Sequence, residues 1–139
     1  MQPRSILITE SDMAMLRELL DHAKSHLVND TVHIEMLEQE LQRAEVVPVR
    51  QVPSDVITMG SKVRVRNLDT RRETVYELVF PREADISQGK VSVLAPIGTA
   101  LLGYRTGDVI VWMMPGGMKR LKVEEVLHQP EAAELSQVA

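Results

Sequence analysis

The chain has 139 residues, of which 44% are apolar and 26% charged, with a formal net charge of −4. That balance is ordinary for a soluble globular protein, and the length suits one domain, or one small domain plus an appendage. Cysteine is absent, which excludes disulfides and thiolate chemistry and fits a cytoplasmic setting. Aromatics are only 3%, so the core must be aliphatic and few side chains could stack on bases or sugars.

At the amino terminus the apolar run Ile6-Leu7-Ile8 is too short for a signal segment or a membrane span. The expectation is a soluble cytoplasmic protein with no membrane contact. Residues 9 to 45 then read as helix, turn, helix. Thr9 and Asp12 have the spacing of a capping box, in which the hydroxyl accepts an orphan amide and the acid returns a bond. Met13, Leu16, Leu19, Leu20, Ala23 and Leu27 follow on one face at helical spacing. The turn chemistry of Asn29-Asp30 interrupts that stripe. A second stripe runs through Ile34, Leu37, Leu41 and Ala44, spaced as in a heptad. Two such helices joined by a short turn are expected to pair antiparallel, as a short coiled-coil hairpin.

Pro48 and Pro53 cannot sit inside a helix, so 47–54 is read as a linker. Beyond it Lys62-Val63-Arg64-Val65-Arg66 alternates with period two, and Thr74 to Phe80 is rich in strand formers. Lys90 to Leu94 gives a third strand, and Pro96 opens a short helix closed by Gly103. Val109 to Met114 and Lys119 to Leu127 make a hairpin around Pro115-Gly116-Gly117. The predicted fold class is α+β: a helical hairpin over 1–49, then an antiparallel sheet with one helix packed on it over 50–139. Charge divides at the same boundary, with nine acids and four bases in residues 1–49 and eleven acids and twelve bases after them. Lys62, Arg64 and Arg66 share a strand face, and Lys119, Arg120 and Lys122 form a second basic group. Such a face is either solvated or a partner-binding surface.

Four strings in the second half carry a resemblance. Asp85-Ile86-Ser87-Gln88-Gly89-Lys90-Val91-Ser92-Val93, the pair Ala95-Pro96-Ile97 and Ala100-Leu101-Leu102-Gly103, and Gly107-Asp108-Val109 keep the order and spacing found in Gre transcript-cleavage factors. Pro115-Gly116-Gly117 matches that family's terminal turn. The chain resembles the Gre family across roughly Val56 to Leu127. Within it, Asp55 to Met59, Ala95-Pro96-Ile97-Gly98, Gln129 to Ala133 and the short hairpin are similar to the Rnk branch, the regulators of nucleoside diphosphate kinase.

The resemblance implies an FKBP-like sheet domain and a monomer that binds RNA polymerase, reaching DNA only through it. Gre factors enter the polymerase secondary channel, where two tip acids spaced Asp-x-x-Glu help hold a catalytic Mg²⁺. Here the expected tip is Asn29, Asp30 and Thr31, and His33 stands three residues after Asp30. One carboxylate is not a chelating pair; alone, Asp30 reads as a helix cap or an Asx turn. Two helices of about fifteen residues would also project on the order of 23 Å, roughly half the family's reach. The expectation is therefore occupancy of the channel in competition with Gre-type factors, without cleavage. The family's grip on the channel rim maps by resemblance to Leu94, Ala95, Pro96 and Ile97, where polar family residues have become Leu and Ala.

Other chemistry is weakly supported. His22 and His26 have metal-pair spacing, but no third ligand is fixed, and no metal, cofactor or catalytic residue is expected. A prolyl-isomerase or chaperone module, or an active cleavage factor, would keep the same fold. An isomerase pocket needs aromatic walls, and Tyr76, Phe80, Tyr104 and Trp112 are few for that purpose.

Overall fold

The computed structural model describes residues 6–26, 31–114 and 116–138, with the side chains at 26, 31 and 135–138 outside the description. Strand β1 (Leu7–Thr9) leads into α1 (Glu10–His26); α2 (Thr31–Gln42) follows and delivers the chain to β2 (Glu45–Val47). β1 and β2 pair in parallel, with Ile8 opposite Val46, which closes the helical half at its base. Neither three-residue strand was expected from the sequence.

The predicted stripes become buried surface. Met13, Leu16, Leu20 and Ala23 of α1 and Ile34, Leu37 and Leu41 of α2 all enter one apolar cluster, with Leu19 and Ala44 at its margin. Leu27 lies outside the described residues. Lys24 of α1 pairs with Glu38 of α2, so the two helices are also joined across their exposed side. The capping box forms by half. Thr9 Oγ1 accepts the Asp12 amide at 3.1 Å, but the Asp12 carboxylate turns away and accepts the Met59 amide at 3.0 Å. That amide is buried and has a stronger claim on a charged acceptor than a solvent-facing cap would.

The remaining strands are β3 (Lys62–Asn67), β4 (Glu73–Val79), β5 (Lys90–Ser92), β6 (Val109–Met114) and β7 (Gly117–His128), in the order β5-β4-β3-β7-β6. Helix α3 (Pro96–Leu101) lies between β5 and β6, and α4 (Pro130–Val138) ends the chain's described part. The antiparallel expectation holds for β4-β3-β7-β6 and fails at β5, which runs parallel to β4 with Leu78 opposite Val91. Residues 80–89, with short 3-10 turns at Pro81–Glu83 and Ile86–Gln88, carry the chain back far enough for a parallel return. Helix α4 was also not anticipated.

Ile6, Ile8, Leu16 and Leu37 share their buried cluster with Ile57, Val63, Leu78, Val93 and Leu101. The core is aliphatic, as composition required. Tyr104 is buried in it, while Tyr76, Phe80 and Trp112 pack at its edge. Tyr104 also anchors the end of α2: its hydroxyl accepts Arg43 Nη2 at 2.7 Å, and Arg43 Nε pairs with Glu40 at 2.5 Å.

Candidate functional site

The segment Leu94-Ala95-Pro96-Ile97 forms the turn from β5 into α3. Pro96 occupies the first turn of the helix, where its missing N–H costs nothing. Ser92 organises the turn: its hydroxyl accepts the Leu94 amide at 3.0 Å and its carbonyl accepts the Ala95 amide at 3.0 Å. Thr99 then donates its hydroxyl to the Val93 carbonyl at 2.6 Å. Gly98 makes this closeness possible, because a Cβ there would meet the Ser92 carbonyl oxygen at 2.0 Å. All four residues of the segment are half-buried, with Leu94 and Ile97 packed against the core. The result is a hydrogen-bonded, partly apolar corner.

Beside α1 lies a cleft of about 460 Å³ that the sequence did not reveal. Met15, Leu19 and His22 of α1 form one wall, and Phe80, Pro81 and Arg82 the other. Positions 15, 19 and 22 are i, i+4 and i+7, so a second helical stripe was readable beside the main one. His22 belongs to this wall, and the side chain of His26 lies outside the described residues.

The basic strand face is largely internally compensated. Arg64 lies 3.5 Å from Glu73 and 3.1 Å from Glu125; Arg66 lies 3.3 Å from Glu73 and 3.4 Å from Glu124. On β7, Arg120 pairs with Asp69 at 2.7 Å. Arg64 and Arg66 thus have acidic partners within the sheet itself.

A buried polar joint ties three elements together. Thr58 donates its hydroxyl to Glu131 of α4 at 2.6 Å, and Gln129 Nε2 donates to the Pro53 and Val56 carbonyls, each at 2.8 Å. Asp12 faces the same joint from α1. Burial pushes the Asp12 carboxyl up to about 6; the Met59 amide opposes that rise, the charge of Glu131 adds to it, and the Thr9 hydroxyl opposes it. No sequence signal marked this joint, because its partners are 47 and 73 positions apart.

Of the expected tip, Asn29 and Asp30 lie outside the described residues, and Thr31 begins α2. The sequence itself still supplies one carboxylate between 29 and 33. No helix among the described residues is long and apolar enough to cross a membrane.

Residues 52–128, the sheet, α3 and their connections, match the family described as transcription elongation factor, GreA/GreB, C-term. The chain belongs to the GreA/GreB family. Its helical half carries a separate signature, since residues 4–47 match the Rnk N-terminus. Among curated relatives, the regulator of nucleoside diphosphate kinase of Escherichia coli (strain K12) is 46% identical over 98 residues, covering 70% of this chain and 72% of that protein. The transcription elongation factor GreA of Bartonella henselae is 36% identical over 104 residues, covering 75% of this chain and 66% of that protein. A solved GreA/GreB-type elongation factor from Nitrosomonas europaea superposes with a TM-score of 0.72 at 39% identity, over 89% of this chain and all of that one. The Gre-like strings and the Rnk-like features thus identified the family and the branch. Helix α4 lies beyond both matched segments.

Proposed function

We propose that this chain is an RNA-polymerase-binding transcription regulator that occupies the secondary-channel region and competes there with Gre-type factors, leaving the transcript uncut. The observation that carries the reading is the joining of a GreA/GreB sheet domain to a helical half whose turn, Asn29-Asp30-Thr31-Val32-His33, holds one carboxylate. A second Mg²⁺ needs at least two hard oxygens converging on it from the incoming factor. Helix length supports the same conclusion. The 17 residues of α1 and 12 of α2 reach about 26 and 18 Å at roughly 1.5 Å per residue. Such a chain acts by occupancy and performs no chemistry of its own.

The corner at Leu94-Ala95-Pro96-Ile97 is the contact assigned to the channel rim in this reading. Control of nucleoside diphosphate kinase, the role in the name of the Escherichia coli relative, would then run through transcription. Immobilised chain should retain core polymerase at low salt, and Leu94→Ser with Pro96→Ala should weaken that retention. Failure of the wild-type chain to retain polymerase at micromolar concentration would sink the proposal.

A further inference from the structure

The edge of the sheet carries a surface that the channel reading leaves unused. β6 is the last strand of the five-stranded order and pairs with β7 in unbroken register from Val109 to Met114. Its outward positions are Val109, Val111 and Met113, which are 53%, 56% and 59% exposed. Met118, opposite Met113 on β7, is 53% exposed and extends the same block. Natural edge strands are usually protected by charges, prolines or bulges, and β6, Val-Ile-Val-Trp-Met-Met, has none of them.

Cations outnumber acids around this block, with Arg120 already sharing its charge with Asp69 at 2.7 Å. Between Val109 and Val123 the sequence holds Lys119, Arg120 and Lys122 and no acid. Arg120 and Lys122 lie directly across the ladder from Val111 and Val109, on the exposed side. An apolar strip backed by cations fits an acidic, amphipathic segment, whose apolar side chains cover the strip while its carboxylates reach the cations. Four half-exposed side chains offer far less than the roughly 800 Å² per partner of a stable binary interface. The patch is therefore suited to act as one contact of two on a large partner, where the first contact raises the effective concentration for the second.

We propose that the outer face of the β6–β7 hairpin is a second docking surface for RNA polymerase, taking an acidic amphipathic segment of that enzyme. This rests on the polymerase reading, with the corner at residues 94–97 as the first contact.

The test measures the affinity of the full chain for core polymerase at low and moderate salt. Three proteins are compared: wild type, Val111→Ser with Met113→Ser, and Arg120→Glu with Lys122→Glu. The altered positions are exposed or lie on the solvent side of the sheet, and Trp112 fluorescence checks that each variant is folded. Each pair should weaken binding by about tenfold, and the charge reversal should also flatten the salt dependence. Wild-type chain that does not bind overturns the polymerase reading and this proposal with it. Wild-type chain that binds, with both variants matching it, overturns this proposal alone. Loss of self-association in the variants at unchanged polymerase affinity would assign the face to a second copy of the chain, which also overturns it.

Discussion

In the helical half, residues 6–47, burial comes from one stripe on each helix, and the only ladder described there is the three-residue pairing of β1 with β2. In the sheet half, five strands share registers of up to six paired positions, and α3 is pinned to β5 through Ser92 and Thr99. The helical half draws much of its closure from the other. Leu7 donates to the Gly103 carbonyl at 3.2 Å, Asp12 accepts from Met59, and Arg43 reaches Tyr104. The sheet half carries most of the ladder bonding, and the helical half is locked onto it through a shared core.

The largest effect is expected from a cavity in the helical half read out in the sheet. Leu37 is fully buried within the shared cluster. Leu37→Ala should cost about 2–5 kcal/mol, and Trp112, on β6, should report the loss in a single unfolding transition. Helix melting that leaves the Trp112 signal unchanged would show two independent units. A smaller effect is expected at the turn from β5 into α3. Gly98→Ala should cost about 1–3 kcal/mol through overpacking against Ser92 and should also weaken polymerase retention; an unchanged melting temperature would show that the turn yields freely.

The joint between the halves sharpens the comparison through pH. Asp12 titrates near 3.8 when unfolded and at about 6 when folded. Between those values the folded chain holds more protons, so stability falls as pH rises through that window, and the buried charge costs stability above it. Asp12→Asn keeps an oxygen for the Met59 amide and removes the charge. It should stabilise the chain by on the order of 1–3 kcal/mol near pH 7.5, a gain that disappears below about pH 4. Denaturant titrations at the two pH values check this, and destabilisation near pH 7.5 would mean that the carboxylate makes a contact worth more than its burial costs. The smallest effect belongs to the exposed Lys24–Glu38 pair, where Lys24→Ala should cost no more than about 1 kcal/mol in the same titrations.

Much of this was legible in the sequence. The helical stripes at Met13 to Ala23 and Ile34 to Leu41, and the alternation from Lys62 to Arg66, marked elements that the fold contains. The three-residue strands β1 and β2 are too short to show a period, and β5 was read as a strand whose residues give no sign of its parallel direction. Helix α4 was recognised as a tail string but not as a helix, because its role depends on contacts with Pro53, Val56 and Thr58 far back in the chain. The corner residues Leu94 to Ile97 were named from resemblance, whereas the bonding that holds their turn comes from Ser92, Gly98 and Thr99. The cleft beside Met15 needed the placement of Phe80, which no local pattern supplies.

Occupancy of the polymerase channel without cleavage, as proposed, is tested most directly by a transcript-cleavage assay on a backtracked polymerase complex, with a fixed amount of a Gre factor and increasing amounts of this chain. Progressive inhibition is expected, and no cleavage above the polymerase's own rate when the chain is added alone. Stimulation of cleavage by the chain alone would contradict it.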